Sequence, residues 1–330
     1  MMALGQRGHL EGALQVLTMM KEHGVAVREA TFAALILAYG AENDWEDVEG
    51  VLDTMRSVQV SQSEVTFGAL AIVCGTQGQV LRLRQVVTQA WQRGVALSST
   101  QLEAVLFALI RNGHAGDSYE NIDFVLQLIE ESGMKADISR LALRLIHCGR
   151  VKEAVHLVLP LPFLRTNNHL YSNAAIYLRE IVHTRTAPGV VVDVCHHLQE
   201  EGINQFALQV ALEHALRERW EELAWVLLRA MKDAGLPLRE HYFWPLLHLK
   251  AIAQEPAQLL ECVQLMLQLG EAPSLVTLRD HIIPSLSLSQ PHLALQMLQN
   301  TGLSATAAAT PLLMVLVKKQ HDGTGHQVWS

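Results

Sequence analysis

His9-Leu-Glu-Gly-Ala-Leu-Gln-Val-Leu-Thr-Met-Met-Lys21 returns, 35 residues later, as Asp44-Trp-Glu-Asp-Val-Glu-Gly-Val-Leu-Asp-Thr-Met-Arg56. Glu11/Glu46, Val16/Val51, Leu17/Leu52 and Met20/Met55 all keep that offset, and Glu29-Ala-Thr-Phe-Ala-Ala-Leu35 lies over Glu64-Val-Thr-Phe-Gly-Ala-Leu70. A fixed period in the range of about 20 to 50 residues is the signature of a repeat array, not of one closed core. Glycines carry the period onward: Gly24 to Gly94 is 70 residues, Gly133 to Gly202 is 69, Gly202 to Gly235 is 33 and Gly235 to Gly270 is 35. Each follows an apolar helical pattern and is placed to close a helix in the left-handed conformation.

Within each unit two amphipathic segments of about 12 residues, such as Thr31 to Tyr39 and Trp45 to Met55, flank a short turn at Gly40 to Asp44. One such hairpin cannot cover its own apolar faces, so neighbours must stack. The predicted fold is all-α, a right-handed α-solenoid of stacked helical hairpins. A single array of about nine helix pairs is expected over residues 1–310, irregular near 159–169 where Pro160 and Pro162 break the helix, with an irregular tail over 311–330. Residues 9–24 read as a second helix whose first helix is largely absent, so a fragment or an isoform of a longer product is expected.

Composition agrees. Half of the 330 residues are hydrophobic and only 5% are aromatic, a Leu- and Ala-rich usage that favours helix over strand. The formal charge of −8 excludes a surface built throughout to clamp a polyanion, so any nucleic-acid contact must be local. Cys74, Cys148, Cys195 and Cys262 form no CxxC pair and no framework, which fits a reducing compartment. The apolar run Pro311 to Val317 is far shorter than the ~20 residues a bilayer requires, so no membrane insertion is expected. The opening residues carry neither a secretory apolar core nor a long Arg- and Ser-rich stretch, and no targeting segment is expected in this chain.

Chemistry-bearing motifs are sparse. Cys195-His196-His197 places adjacent side chains about 100° apart on a helix and lacks a second ligand pair, so no metal site and no cofactor are expected. His147-Cys148 has nothing to make it a nucleophile and base, and no Gly-rich phosphate loop, HExxH or GxSxG occurs. No catalytic residues are assigned. An enzyme hidden in the irregular stretch 159–169 is the least favoured class.

A 35-residue period, paired helices and an opening Val65-Thr66-Phe67, nearly repeated at Val276-Thr277-Leu278, resemble the pentatricopeptide repeat family. Arg239-Glu-His-Tyr-Phe-Trp-Pro-Leu-Leu247, His281-Ile-Ile-Pro284 and Ala294 to Gly302 are similar to an animal mitochondrial member of that family, and the likeness extends over most of the chain to about residue 303. The resemblance implies residence in the mitochondrial matrix, with nuclear roles as well. It also implies association with single-stranded RNA, in particular mitochondrial messenger RNA, and with a small RNA-recognition-motif protein that helps stabilise, polyadenylate and translate it.

In that family a residue early in the first helix and the last residue of the repeat together read one base. Matching the pattern puts Ala33, Gly68, Glu103, Gln209, Trp244 and Arg279 at the helix position, and Ser63, Ser98, Asp137, Arg239 and Ser274 at the other. Ala33 and Gly68 offer no polar side chain, so weak or shape-driven RNA contact is expected instead of a defined target sequence. Trp244 is a candidate for stacking on a base, against the alternative that it packs between helices beside Tyr242 and Phe243. Arg111, Arg144, Arg150, Arg217, Lys250 and Arg279 fall in or just after first helices and are candidates for phosphate contact, against the alternative of a solvated face. A protein-binding scaffold that never touches RNA is the rival reading, favoured by the charge and the blank helix positions.

Overall fold

The computed structural model describes residues 1–131, 136–161, 173–286 and 290–325, and every regular element among them is helical. The chain divides into two compact units, Met1–Leu164 and Arg165–Ser330. Gly133 and residues 162–172, with most of the proline-broken stretch, lie outside the described residues.

The first unit runs α1 (Met2–Gln6), α2 (Leu10–Glu22), α3 (Glu29–Ala41), α4 (Trp45–Ser57), α5 (Glu64–Thr76), α6 (Val80–Gln92), α7 (Ser99–Arg111), α8 (Glu120–Glu131), α9 (Ile138–His147) and α10 (Val151–Val158). These are helix pairs, with the short α1 in the place of the first helix of the opening pair. First helices stack on first helices, α1 on α3, α3 on α5 and α5 on α7, while each also lies against its own second helix. The consequence shows in burial. In α3, residues Thr31 to Ala38 are all buried, and in α5 so are Thr66 to Ala71, as expected of helices that are apolar all round. The second helices are amphipathic instead: α4 buries only Val48, Val51 and Met55. Asp44 caps α4 by accepting the Asp47 N–H at 3.0 Å, and Glu46 and Asp47 set negative charge against the positive end of its dipole.

Gly5, Gly40 and Gly75 stand in register, 35 residues apart, near the ends of α1, α3 and α5. A Cβ on Gly40 would come within 2.3 Å of the Val73 side chain, and one on Gly75 within 2.8 Å of the Val105 carbonyl oxygen. The helices approach this closely because nothing stands between them. The next place in the series is Ile110, and there the first helices α7 and α9 pack less intimately.

The helix-closing glycines are found where the spacing puts them: Gly24, Gly94, Gly202, Gly235 and Gly270 all have φ between +66° and +90°. A second series closes the first helices and is only partly glycine. Gly8, Asn43, Gly78, Gly113, Gly149, Arg185, Arg219 and Gln254 all have positive φ, at spacings of 34 to 36 residues. At each the two hydrogen bonds of a Schellman turn form, for example Gly78 N–H to the Gly75 carbonyl and Gln79 N–H to the Cys74 carbonyl.

The second unit runs α11 (Asn173–His183), α12 (Pro188–Glu200), α13 (Ala207–Arg217), α14 (Glu221–Asp233), α15 (Trp244–Ile252), α16 (Pro256–Gln268), α17 (Leu275–Thr277), α18 (Pro291–Asn300) and α19 (Ala305–Gly325). The same pairing continues, α11 with α12, α13 with α14 and α15 with α16. A 3₁₀ turn at Glu240–Tyr242 precedes α15, and α17 runs directly into a π turn at Leu278–Ile282 and a 3₁₀ turn at Ile283–Ser285. An irregular tail from residue 311 is not what forms: residues 305–325 are one helix with Pro311 inside it. Its Ala-rich opening favours helix, and Ala308 and Leu312 are buried as α19 packs on α18 and the π turn.

Candidate nucleic-acid interface

The residues that end one repeat and begin the next prove to be helix caps. Ser63 donates its hydroxyl to the Glu29 carboxylate at 2.8 Å and its backbone N–H to the same group at 2.7 Å. Thr66, the threonine of Val65-Thr66-Phe67, adds its hydroxyl at 2.7 Å and its N–H at 3.2 Å. Burial alone would raise the Glu29 carboxyl, but the hydrogen bonds from Thr66 and Ser63 outweigh it and hold the group below its ordinary value. The clamp recurs. Glu103 accepts the Asp137 N–H at 2.8 Å and lies 3.4 Å from the Arg140 guanidinium, and Glu240 accepts the Ser274 N–H. At Ser98 the job is done locally, by Gln101, whose side-chain oxygen accepts the Ser98 N–H at 2.8 Å while its amide donates to the Glu64 carbonyl.

Ser63, Ser98, Asp137 and Ser274 therefore have hydrogen-bonding atoms already engaged: the Asp137 carboxylate accepts the Arg140 N–H at 3.0 Å and the Ser274 hydroxyl accepts the Thr277 N–H at 3.2 Å. At the helix position, Ala33 and Gly68 are buried, and the space a Gly68 side chain would occupy is filled by Gln101. Glu103 is buried in its clamp, and Arg239 is exposed. Gln209 carries a buried side-chain oxygen without a hydrogen-bond partner.

The cations fall into three circumstances. Arg111, Arg144 and Arg150 gather at one end of adjacent pairs: Arg144 lies over the Phe107 ring at 4.1 Å, and Arg150 donates to the Arg111 carbonyl at 3.1 Å. Arg217 is exposed and paired with Glu213 on its own helix, and Arg279 forms a two-pronged pair with Asp280 at 2.6 Å. Lys250 is mostly covered, bonded at 2.8 Å to both Glu221 and Gln258. Its ammonium is held above the usual lysine range by the hydrogen bond to Glu221, against a smaller opposing effect of burial.

Trp244 and its neighbours are different in kind. Phe243 turns inward, 1% exposed, and meets the buried Trp225 ring at 5.9 Å. Trp244 turns outward, 37% exposed, and stacks on His281 with ring centres 5.2 Å apart and planes 19° apart. Its indole N–H donates to the buried Thr277 hydroxyl at 2.8 Å. Thr277 is thus the counterpart of Thr66, a threonine that ties one repeat to the one before.

Among the described residues no group of three or more His, Cys, Asp or Glu could hold a metal ion, and no helix is long and apolar enough to cross a membrane. Cys195 is buried and His197 exposed, so that run does not converge. Burial pushes the Cys74 thiol up to about 12 and Cys262 up to about 11.

Residues 2–122 match a family model described as pentatricopeptide repeat-containing protein. The leucine-rich PPR motif-containing protein, mitochondrial, of Rattus norvegicus is 28% identical over 131 residues, 40% of this chain and 9% of its own length. Its Xenopus tropicalis counterpart is 38% identical over 71 residues, 22% of this chain and 5% of its own. The chain spans at most about a tenth of the length of these curated relatives. Among solved structures, the pentatricopeptide repeat protein PPR10 in complex with an 18-nt psaJ RNA element is similar over 99% of this chain and 52% of its own, at 18% identity and a TM-score of 0.42. PPR10 from maize is similar over 92% and 38%, at 19% identity and a TM-score of 0.39.

Proposed function

On the premise that residues 2–122 carry pentatricopeptide repeats, we propose that this chain is an RNA-associated scaffold that performs no chemistry of its own. The observation that carries the reading is the family match, joined to relatives whose name places them in mitochondria. Its action would be protection: an extended single strand laid along the array cannot refold and is shielded from nucleases. The finer reading is stabilisation of mitochondrial messenger RNAs, with support of their polyadenylation and translation, beside a small RNA-recognition-motif partner in the matrix. Contact is expected to be weakly selective, because the side-chain atoms that would read base edges at Ser63, Ser98, Asp137 and Ser274 already make hydrogen bonds within the protein.

Gel shift at low and at physiological salt tests this directly. Binding should weaken steeply with salt if phosphates are engaged. Charge reversal at Arg111, Arg144 and Arg217 together should lower affinity alike for unrelated RNAs; equal binding by that variant would remove those residues from the interface. A protein-binding scaffold without RNA contact is the second reading, favoured by the occupied caps and the charge of −8. It would be upheld by no shift at low salt together with co-purification of a small RNA-recognition-motif protein.

A further inference from the structure

Four aromatic rings from two successive repeats meet at the surface of the second unit. Tyr242 and His241 touch edge to face at 4.5 Å, His241 stands 6.3 Å from Trp244 at 69°, and Trp244 lies nearly parallel to His281 at 5.2 Å. His241 and Trp244 are exposed, and Tyr242 and His281 partly so. The column joins two successive repeats at their surface, while the interior place is taken by Phe243 against Trp225. The Trp244 ring is also fixed in orientation, because its one donor is bonded to Thr277, a side chain with no exposure at all.

His281 reaches Trp244 from the π turn at Leu278–Ile282, a widened turn of the kind that recurs at functional sites. Charges of both signs surround the column, with Glu240 beside His241 and Asp280 beside His281. Arg239 is exposed on one side, and on the other Asp280 sits among Arg279, His281 and Lys318. The Asp280 carboxyl is held below its ordinary value first by the Arg279 hydrogen bond, against some burial, and then by the charges of Arg279, His281 and Lys318.

From this geometry we infer that His241, Trp244 and His281 form a stacking platform for one unpaired nucleobase of a single-stranded nucleic acid. The inference rests on the RNA reading above and goes further by naming the place and the mode. Recognition is by the face of the base and not its edge, since the indole N–H is spent on Thr277. Every base has such a face, so the site tolerates any base, with purines ahead of pyrimidines by stacking area.

The test is anisotropy of a fluorescein-labelled, unstructured short RNA binding to the full chain, alongside the same RNA carrying an abasic run. Trp244→Ala should weaken binding about five- to 150-fold, the range that loss of one base–aromatic stack gives. Trp244→Phe should recover most of it, and the abasic RNA should bind the unaltered protein more weakly but lose little more on Trp244→Ala. His281→Ala, whose side chain is partly solvent-exposed, provides a second variant if Trp244→Ala does not fold by circular dichroism. Salt-sensitive binding of the intact RNA, matched by equal binding of the abasic RNA, overturns the platform and leaves the RNA reading standing. No binding of any RNA at low salt overturns both.

Discussion

Glu29 accepts four hydrogen bonds from a repeat that begins 34 residues later, and those bonds outweigh a burial that would otherwise raise its carboxyl. A carboxylate held low in the folded state stabilises the fold at pH values above its unfolded range, and that contribution fades as the pH falls through the lowered value. Glu29→Gln should therefore cost about 1–3 kcal/mol at neutral pH. Urea unfolding at pH 7 and again at pH 3 would check it, the gap between variant and parent closing at the lower pH. An equal gap at both would mean that the charge is not what matters. The threonine of Val65-Thr66-Phe67 was legible as a mark of the period, but not as a donor, because its acceptor lies in the preceding repeat. The same limit applies to Trp244. Beside Tyr242 and Phe243 its direction is undecided in the sequence, and it is settled by Thr277 and His281, 33 and 37 positions away.

Helix ends show where pattern reading succeeds and where it stops. Gly24 and Gly94 announce a left-handed closing residue, and between them in the same register stands Gln59, with φ of +54°. A glutamine gives no warning of that conformation, so a series read from glycines alone misses it. A side chain with a Cβ pays in this region roughly 1–2 kcal/mol, which glycine avoids at some cost in unfolded-chain entropy. Gln59→Gly is accordingly expected to raise stability by about 0.5–1 kcal/mol, read as a higher urea midpoint with an unchanged slope. A lower midpoint would show that the glutamine side chain contributes packing that outweighs the strain. The Gly5, Gly40 and Gly75 series was equally open to inspection, since all three share the 35-residue offset. What the sequence does not disclose is why it stops: Ile110 takes the fourth place only where the first helices stand further apart.

Among the described residues, side-chain hydrogen bonds between helix pairs span 29 to 39 residues, from Lys250 with Glu221 to Arg150 with Arg111, so within each unit pairs are tied to their sequence neighbours. Stability in such an array is close to a sum of repeat and neighbour-interface contributions. Damage to one interface should accordingly stay local, and Gly75→Val is the sharpest probe, because its Cβ would meet the Val105 carbonyl oxygen at 2.8 Å, a backbone atom that cannot swing aside. Overpacking of this kind costs about 1–3 kcal/mol, enough to raise the open population of the affected helices by roughly five- to 150-fold. Hydrogen exchange followed by mass spectrometry should show faster exchange in α5 and α7 and their partners α6 and α8, with protection in α13 to α16 of the second unit unchanged. Uniform loss of protection in both units would instead mean one cooperative core, and the neighbour-by-neighbour account of this molecule would have to be abandoned.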